Sequence, residues 1–268
     1  MQQTIQRFPP ILLQEMERAG LMERQDTKFA LPQVFLPELL KTLLDDYRVL
    51  EVQGVRSNHY RSLYFDTPEY SFFRAHHNKA LNRVKVRYRL YADSGLCFFE
   101  IKQKNNRRRT EKSRIQVESP AMALRGPELR FLAEKTGLDG TKLQAALWVE
   151  YNRTTLVRKD LSERLTLDTE LRFWSPDREK IFELPGLAIL ELKQGRATRQ
   201  SPVADSLRNA HIRPLSVSKY CFAAMGLGFP VKYNLFKTKL LRLSKLVNDD
   251  TLRQLAHAAP LDGHPAVR

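Results

Sequence analysis

The sequence predicts an α+β fold in which antiparallel strands close into a barrel with a charged interior and helices outside. Three observations carry that prediction. The first is Asn82–Tyr91, where Arg83, Lys85, Arg87 and Arg89 alternate with Val84, Val86, Tyr88 and Leu90. Strict alternation with β-branched and aromatic residues reads as a strand, and it sends all four cations to one face. Neighbours on that face repel by about 2.5 kcal/mol at an effective dielectric of about 20, so the face meets open water or holds an anion. The second observation is that most other strand-like segments also have one charged and one apolar face. A simple sandwich would bury its apolar faces and scatter mixed charge outside, whereas a barrel with a charged lumen and a helix-covered exterior accounts for both faces. The third is the uneven spacing of helices between strands, which lacks the βαβα rhythm of a parallel sheet.

Taken in order, Pro10–Arg24 reads as a short amphipathic helix, with Ile11, Leu12, Met16, Ala19 and Leu21 apolar. Arg24–Leu31 is a strand with Asp26, Lys28 and Ala30 on one face, stopped by Pro32. Pro37–Leu50 reads as a helix presenting Leu39, Leu40, Leu43 and Leu44. His59–Asp66 is a strand closing at Thr67-Pro68. The basic ladder follows, then Leu96–Lys104 after the turn Asp93-Ser94-Gly95, which makes a hairpin. Asn105–Arg109 is a basic loop, and Glu111–Glu118 returns as a strand with Lys112, Arg114, Gln116 and Glu118 on one face. Gly126–Leu147 reads as mostly helical, with breaks at Gly137 and Gly140. Trp148–Arg158, Leu161–Phe173 and Leu187–Gly195 are strands. Pro202–Ala210 and Ser218–Leu227 are short helices.

The 268 residues suffice for one large domain or two small ones. Lys and Arg number 45 against 30 Asp and Glu, a net charge of +15. Such a field attracts polyanions: polyphosphate, nucleotides, nucleic acid or an anionic membrane. Cys97 and Cys221 lie in apolar runs and are expected to be reduced and buried. Met1–Gln6 lacks the features of a signal peptide, and no run has the length of a membrane span. The expected setting is the cytoplasm, or the inner face of a membrane as a peripheral protein.

Lys28, Arg87-x-Arg89-x-Tyr91, Phe99-Glu100-Ile101-Lys102, Glu111-Lys112-Ser113, Tyr151-x-Arg153, Arg164–Thr169, Leu190-Glu191-Leu192-Lys193 and Ser218-Lys219-Tyr220 occur in a definite order. His59–Thr67 precedes most of them. The series resembles the VTC domain, the polyphosphate polymerase domain of the vacuolar transporter chaperone family and its bacterial relatives, within the triphosphate tunnel metalloenzymes. The resemblance covers roughly residues 20 to 228. It implies a closed, eight-stranded antiparallel tunnel over 21–228; outside it the residues themselves read as an N-terminal helix over 1–20 and a basic amphipathic tail over 229–268. It also implies transfer of the γ-phosphoryl group of ATP to a growing polyphosphate chain, with Mn²⁺ or Mg²⁺. Lys28, Arg87, Arg89, Lys102, Lys112, Arg153, Arg164 and Lys219 match the family's phosphate ligands, and Glu191 matches its metal-binding glutamate. Glu170 is a second candidate metal ligand, with a salt bridge to Arg164 or Arg172 as the alternative. Lys85, Lys104, Arg114, Lys193 and Tyr91 are expected along the substrate path.

Two departures bear on activity. The superfamily's hydrolases open with Glu-x-Glu-x-Lys, whereas this chain has Arg24-Gln25-Asp26-Thr27-Lys28, which favours the polymerase branch. Ser216 stands where some relatives carry a second lysine. The alternatives are a tunnel triphosphatase acting on inorganic or nucleoside triphosphate, and a polyphosphate-binding module without turnover. Nucleic acid is disfavoured, because no aromatic stacking platform or recognition helix stands out. Glu100 reads as a partner of Lys102 or of a neighbouring strand, Tyr64 as packing, and His76-His77 as loop. Residues 231–247 interleave Lys232, Lys237, Lys239, Arg242 and Lys245 with leucines, which suits an anionic membrane, a partner protein or packing on the barrel.

Overall fold

The computed structural model describes residues 1–18, 24–106, 110–195 and 200–258. Arg107–Arg109 and the end of the expected first helix lie outside the described residues. In chain order the elements are α1 (Gln2–Ile5), β1 (Pro10–Ile11), α2 (Leu13–Arg18), β2 (Arg24–Pro32), α3 (Leu36–Lys41), β3 (Tyr47–Leu50), β4 (Asn58–Asp66) and α4 (Ser71–His77). Next come β5 (Arg83–Tyr91), β6 (Leu96–Lys104), β7 (Thr110–Val117), α5 (Gly126–Thr136), β8 (Gln144–Arg158), β9 (Glu163–Trp174), β10 (Ile181–Leu184) and β11 (Leu187–Gly195). The chain ends with α6 (Pro202–Asn209), α7 (Lys219–Gly226), α8 (Asn234–Val247) and α9 (Asp250–His257). The α+β class and the antiparallel pairing are as expected; the short ladder of β1 with β3 is parallel.

Four local expectations are corrected. Pro10 and Ile11 pair with Val49 and Leu50, so the first helix is delayed to Leu13, where Glu15 accepts the Leu12 N–H at 3.0 Å. The expected helix to Leu50 stops at Lys41, and Tyr47–Val49 pairs instead with Leu156–Arg158. Leu39, Leu43 and Tyr47, spaced four apart, imitate one helix face across that break. The helix begun at Gly126 ends at Gly137, whose φ of +71° suits glycine, and Gln144 already belongs to β8. Strand β10 is an addition to the expected set; it pairs with β9.

The chain folds as two compact units. The first holds Met1–His59, Tyr151–Leu171 and Leu184–Val217. Its strand order is β2-β11-β9-β8, with β3 on β8 and β1 on β3. Phe29 and Leu31 of β2, Leu165 and Leu167 of β9, and Ala188, Leu190 and Leu192 of β11 share one parity. That apolar face packs with Ile5 of α1, Leu36, Leu39 and Leu40 of α3, and Val203 and Leu207 of α6. Burying each such side chain contributes about 2 kcal/mol, which fixes the register and turns the charged parity to the opposite face.

The second unit holds Tyr60–Glu150, Arg172–Glu183 and Ser218–Arg268. Its order is β8-β4-β5-β6-β7, with the first half of β8 belonging here. Leu63, Phe65, Val86, Tyr88, Cys97, Phe99 and Ile101 form its apolar face, with Leu132 of α5 and Trp148. Among the described residues eight strands form the main path, as expected, and β1, β3 and β10 pair off it. Among the described residues β2 and β7 are the end strands of the path, where a closed ring was expected. Along β7 the charged side chains Glu111, Lys112 and Arg114 are exposed, which protects an edge strand from further pairing. Cys97 and Cys221 are buried and free. No helix among the described residues is long and apolar enough to cross a membrane.

Candidate functional site

In the second unit the charged parity of β5, β6 and β7 is laid out by register. Lys85 lies opposite Lys102, which lies opposite Lys112. One step along, Tyr64 of β4 lies opposite Arg87, Arg87 opposite Glu100, and Glu100 opposite Arg114. One step further, Ser62 faces Arg89 and Arg89 faces Phe98. Three lysines in one row across adjacent strands would repel by about 3 kcal/mol per neighbouring pair at an effective dielectric of about 20. They splay: Lys112 reaches Glu100 at 2.5 Å, and Lys85 donates to Ser218 Oγ at 3.1 Å.

Glu100 is the hub of this lattice, with 1% of its surface exposed. Arg87 donates to Glu100 Oε2 from Nε at 2.9 Å and Nη2 at 2.6 Å, and Arg89 Nε lies 3.7 Å away. Burial opposes its charge, but Arg87, Arg89 and Lys112 outweigh burial and hold the carboxyl well below its usual range. Arg87 also donates from Nη1 to the Tyr64 hydroxyl at 2.7 Å. Tyr64 is buried, which alone would raise its pKa, yet Arg87, Lys85 and Arg89 bring it down to about 8. The Ser62 hydroxyl beside Arg89 is buried and has no hydrogen-bond partner among the described residues. Lys219 opens α7, which Ser218 caps by accepting from Cys221 N.

In the first unit the charged parity of β2, β11 and β9 makes a second lattice. Glu191 lies opposite Lys28 on one side and Thr166 on the other. Lys193 lies opposite Asp26 and Arg164. Lys28 Nζ is 2.6 Å from Glu191 Oε2, while Lys193 bridges Glu191 Oε1 and, at 3.1 Å, Asp26. Burial works against charge on Glu191, but Lys28 and Lys193 override it and keep the carboxyl ionised. Arg153 of β8 grips Asp168 with Nε at 2.6 Å and Nη2 at 2.7 Å. Its guanidinium lies 5.2 Å from the Tyr151 ring. The Thr166 hydroxyl beside Glu191 is buried without a partner among the described residues.

The sequence-predicted residues thus fall into two groups. Arg87, Arg89, Lys112, Lys85 and Lys102 gather around the Glu100 lattice; Lys28, Arg164, Lys193 and Glu191 share the other, with Arg153 held by Asp168 nearby on β9. Arg114 lies 4.5 Å over the Phe98 ring, and Lys104 stands opposite Arg83. Tyr91 packs on Tyr60 at 4.9 Å at the far end of β5. Glu170 is not brought to Glu191. It sits within β9 with a φ of 52°, and its carboxylate accepts from Gln33 Nε2 at 2.8 Å. Gln33 follows Pro32, which pairs with Leu187, four residues or about 13 Å along β11 from Glu191. Sequence reasoning missed Tyr64 as a ligand of Arg87 and the hub role of Glu100. The shared parity of Glu100 with Lys102 was the available signal.

A divalent cation fits the Glu191 lattice by donor chemistry. Glu191 and Asp26 present hard carboxylate oxygens to the same ammonium, and magnesium or manganese is commonly held by one or two carboxylates plus phosphate oxygens and water. Among the described residues no group of three or more His, Cys, Asp and Glu side chains forms a cation cage.

A family model described as the VTC domain matches residues 23–226. Among solved structures, a candidate adenylate cyclase from Bacillus halodurans is 12% identical, covering 74% of this chain and 96% of its own, with a TM-score of 0.44. A candidate adenylate cyclase from Vibrio parahaemolyticus is 11% identical, covering 74% and 98%, with a TM-score of 0.41. A Hippeastrum protein described by a dominant triphosphatase activity is 12% identical, covering 78% and 98%, with a TM-score of 0.40. No curated protein matches the sequence.

Proposed function

The chain belongs to the VTC domain family, and we propose that it is a metal-dependent polyphosphate polymerase, transferring the γ-phosphoryl group of ATP to a growing polyphosphate chain. Family membership supports the broader description, a triphosphate tunnel enzyme; the finer reading rests on the lysine row. Lys85, Lys102 and Lys112 occupy directly opposed positions across three strands, one step from Arg87, and the Glu100 carboxylate takes Arg87, Arg89 and Lys112. Cations at that density suit an anion with many oxygens spaced along a chain.

Phosphoryl transfer needs positioning and charge neutralisation more than covalent help. In the proposed step a terminal oxygen of polyphosphate attacks the γ-phosphorus of ATP. The bond from that phosphorus to the β–γ bridging oxygen breaks, and ADP leaves with the electron pair. Lys28, Arg87, Arg89, Lys102, Lys112, Arg153, Arg164 and Lys219 are assigned to the phosphate oxygens. Lys85, Lys104, Arg114, Lys193 and Tyr91 are assigned to the substrate path. The acceptor is already an anion, so no strong general base is required. Glu191, with Asp26 beside it, would hold Mn²⁺ or Mg²⁺, which supplies further neutralisation of phosphate charge when bound. The proposed catalytic region is residues 21–228, flanked by 1–20 and by the tail from 229.

The test is incubation of the wild type and Arg87→Ala with ATP and Mn²⁺, followed by product separation. ADP with a lengthening polymer, lost in the variant, supports the reading. Orthophosphate alone makes the chain a triphosphatase, and bound polyphosphate without any turnover makes it a binding module.

A further inference from the structure

Beyond the lysine row the cations continue. Arg83 lies opposite Lys104 at the end of the β5–β6 ladder, a directly opposed like-charged pair. Two helices bring further polar groups to the same end. His76 of α4 accepts from Arg83 Nη1 at Nδ1, 3.4 Å away. Lys239 of α8 is brought close by Phe236, which sits 6.1 Å from the ring of Phe73 and 6.1 Å from that of His76. The Lys239 ammonium lies 5.8 Å from the Phe236 ring.

The side chains of His76, Arg83, Lys104 and Lys239 are all partly buried. Burial and then Lys85, Arg83, Lys239 and Lys104, in that order, push the His76 pKa down to about 3. The imidazole is therefore neutral at ordinary pH. With Nδ1 accepting from Arg83, it carries its N–H on Nε2 and offers a hydrogen bond without adding repulsion. Asp66 is the carboxylate at this end of β4, and it is already committed. It accepts from the N–H groups of Thr67, Phe72 and Phe73 and from the Tyr220 hydroxyl. Burial moreover raises its pKa.

We propose that His76, Arg83, Lys104 and Lys239 form a distal anion subsite that holds the phosphates of an inorganic polyphosphate chain beyond those bound at the Arg87–Glu100 lattice. The inference rests on the polyphosphate reading of that lattice. Arg83 is four residues from Arg87, about 13 Å along the strand. A triphosphate seated on Arg87 and Glu100 ends at Lys85, one same-face step short of Arg83, whereas a longer chain reaches Arg83 and Lys104. The subsite thus selects by chain length: it binds long polyphosphate in preference to triphosphate and keeps a growing chain attached between additions. Such a track serves a polymerase and has no use in an enzyme whose largest substrate is a triphosphate.

The experiment compares wild type, Arg83→Gln, Lys239→Gln and the double variant in two binding titrations, with long-chain polyphosphate and with tripolyphosphate. Both substitutions remove repulsion in a partly exposed patch, and melting curves verify folding. The double variant is expected to bind long chains about tenfold more weakly, with a shallower salt dependence, and tripolyphosphate with unchanged affinity. Equal weakening for both ligands, or no change for either, overturns the subsite. An unstructured single-stranded oligonucleotide that binds as tightly as polyphosphate, and is lost equally, would assign the patch to nucleic acid and also overturn it. The outcome is separable from the catalytic reading. If ATP yields no polymer while long-chain binding still depends on Arg83 and Lys239, the polymerase falls and the subsite stands. If polymer forms with unaltered length in the double variant, the reverse holds.

Discussion

Arg87 and Glu100 are joined by two hydrogen bonds to a single carboxylate oxygen, from Nε at 2.9 Å and Nη2 at 2.6 Å. The remaining guanidinium nitrogen, Nη1, is turned onto Tyr64 at 2.7 Å. The arrangement fixes the plane of the guanidinium before any ligand arrives, so little side-chain order has to be gained on binding. It also supplies a counter-charge to Arg89 and Lys112.

Glu100→Gln removes that counter-charge and leaves three cations around a neutral amide. Stability is expected to fall by about 2 kcal/mol, less than for a wholly buried pair because Lys112 is partly exposed. Tripolyphosphate is expected to restore more of the lost thermal stability in the variant than it adds to the wild type, since it replaces the missing anion. Melting curves with and without tripolyphosphate check this. Equal stabilisation of the two proteins contradicts it.

Tyr64 gives the site a pH dependence. With a pKa of about 8, its hydroxyl is protonated below that pH and an anion above it. The groups facing it are Lys85, Arg87 and Arg89 of β5, Glu100 through Arg87, and the stacked ring of Tyr220. A phenolate repels bound phosphate, so affinity for tripolyphosphate falls as pH rises through about 8. By linkage, bound phosphate pushes the Tyr64 pKa upward. Burial also lowers the pKa of Lys112, so some decline at high pH belongs to that ammonium and persists in Tyr64→Phe. Titration of tyrosinate absorbance in wild type and Tyr64→Phe, with and without tripolyphosphate, reads this directly. An inflection that does not move on ligand addition counts against contact between Tyr64 and the anion.

Lys28→Ala and Glu191→Gln separate the two roles assigned to the other lattice. Each is expected to reduce polymer synthesis by about 10²-fold or more, as for other losses of charge stabilisation at a reacting phosphate. Glu191→Gln should in addition lose the response to Mn²⁺ concentration, whereas Lys28→Ala should retain it. Unchanged synthesis in both variants would remove these residues from the site.

Gly226 is a test of packing away from the charges. A Cβ at this position would fall 2.0 Å from Cδ1 of Phe182, whose ring stacks on Phe173 at 5.7 Å. Gly226→Ala is expected to cost about 2 kcal/mol through forced displacement of that ring. Chemical denaturation measures it, and a neutral result would mean that β10 yields easily.

The legible parts of the sequence were those in which one periodicity ruled. The alternation of Arg83 to Tyr91 named a strand, its face and its hairpin partner, and the ordered motifs named the family. Where two periodicities overlap, the reading slipped: Leu39, Leu43 and Tyr47 continue a helical spacing into a segment that pairs as β3. Glu100 was underread because its partners come from two strands, Arg87 and Arg89 of β5 and Lys112 of β7, and parity alone does not choose among cations. Glu170 shares the sequence parity of Asp168, but its own left-handed backbone in β9 breaks that count. The sequence around His76 reads as loop, whereas the residue lies in α4, and nothing local signals the four cations that long-range pairing and α8 bring to it.

The most direct measurement is the stoichiometry of turnover by the full chain with ATP and Mn²⁺, followed by phosphorus NMR. The polymerase account predicts that every ADP released is matched by a phosphate incorporated into polymer, with little orthophosphate formed. Every ADP matched instead by free orthophosphate, with no polymer signal, would contradict it.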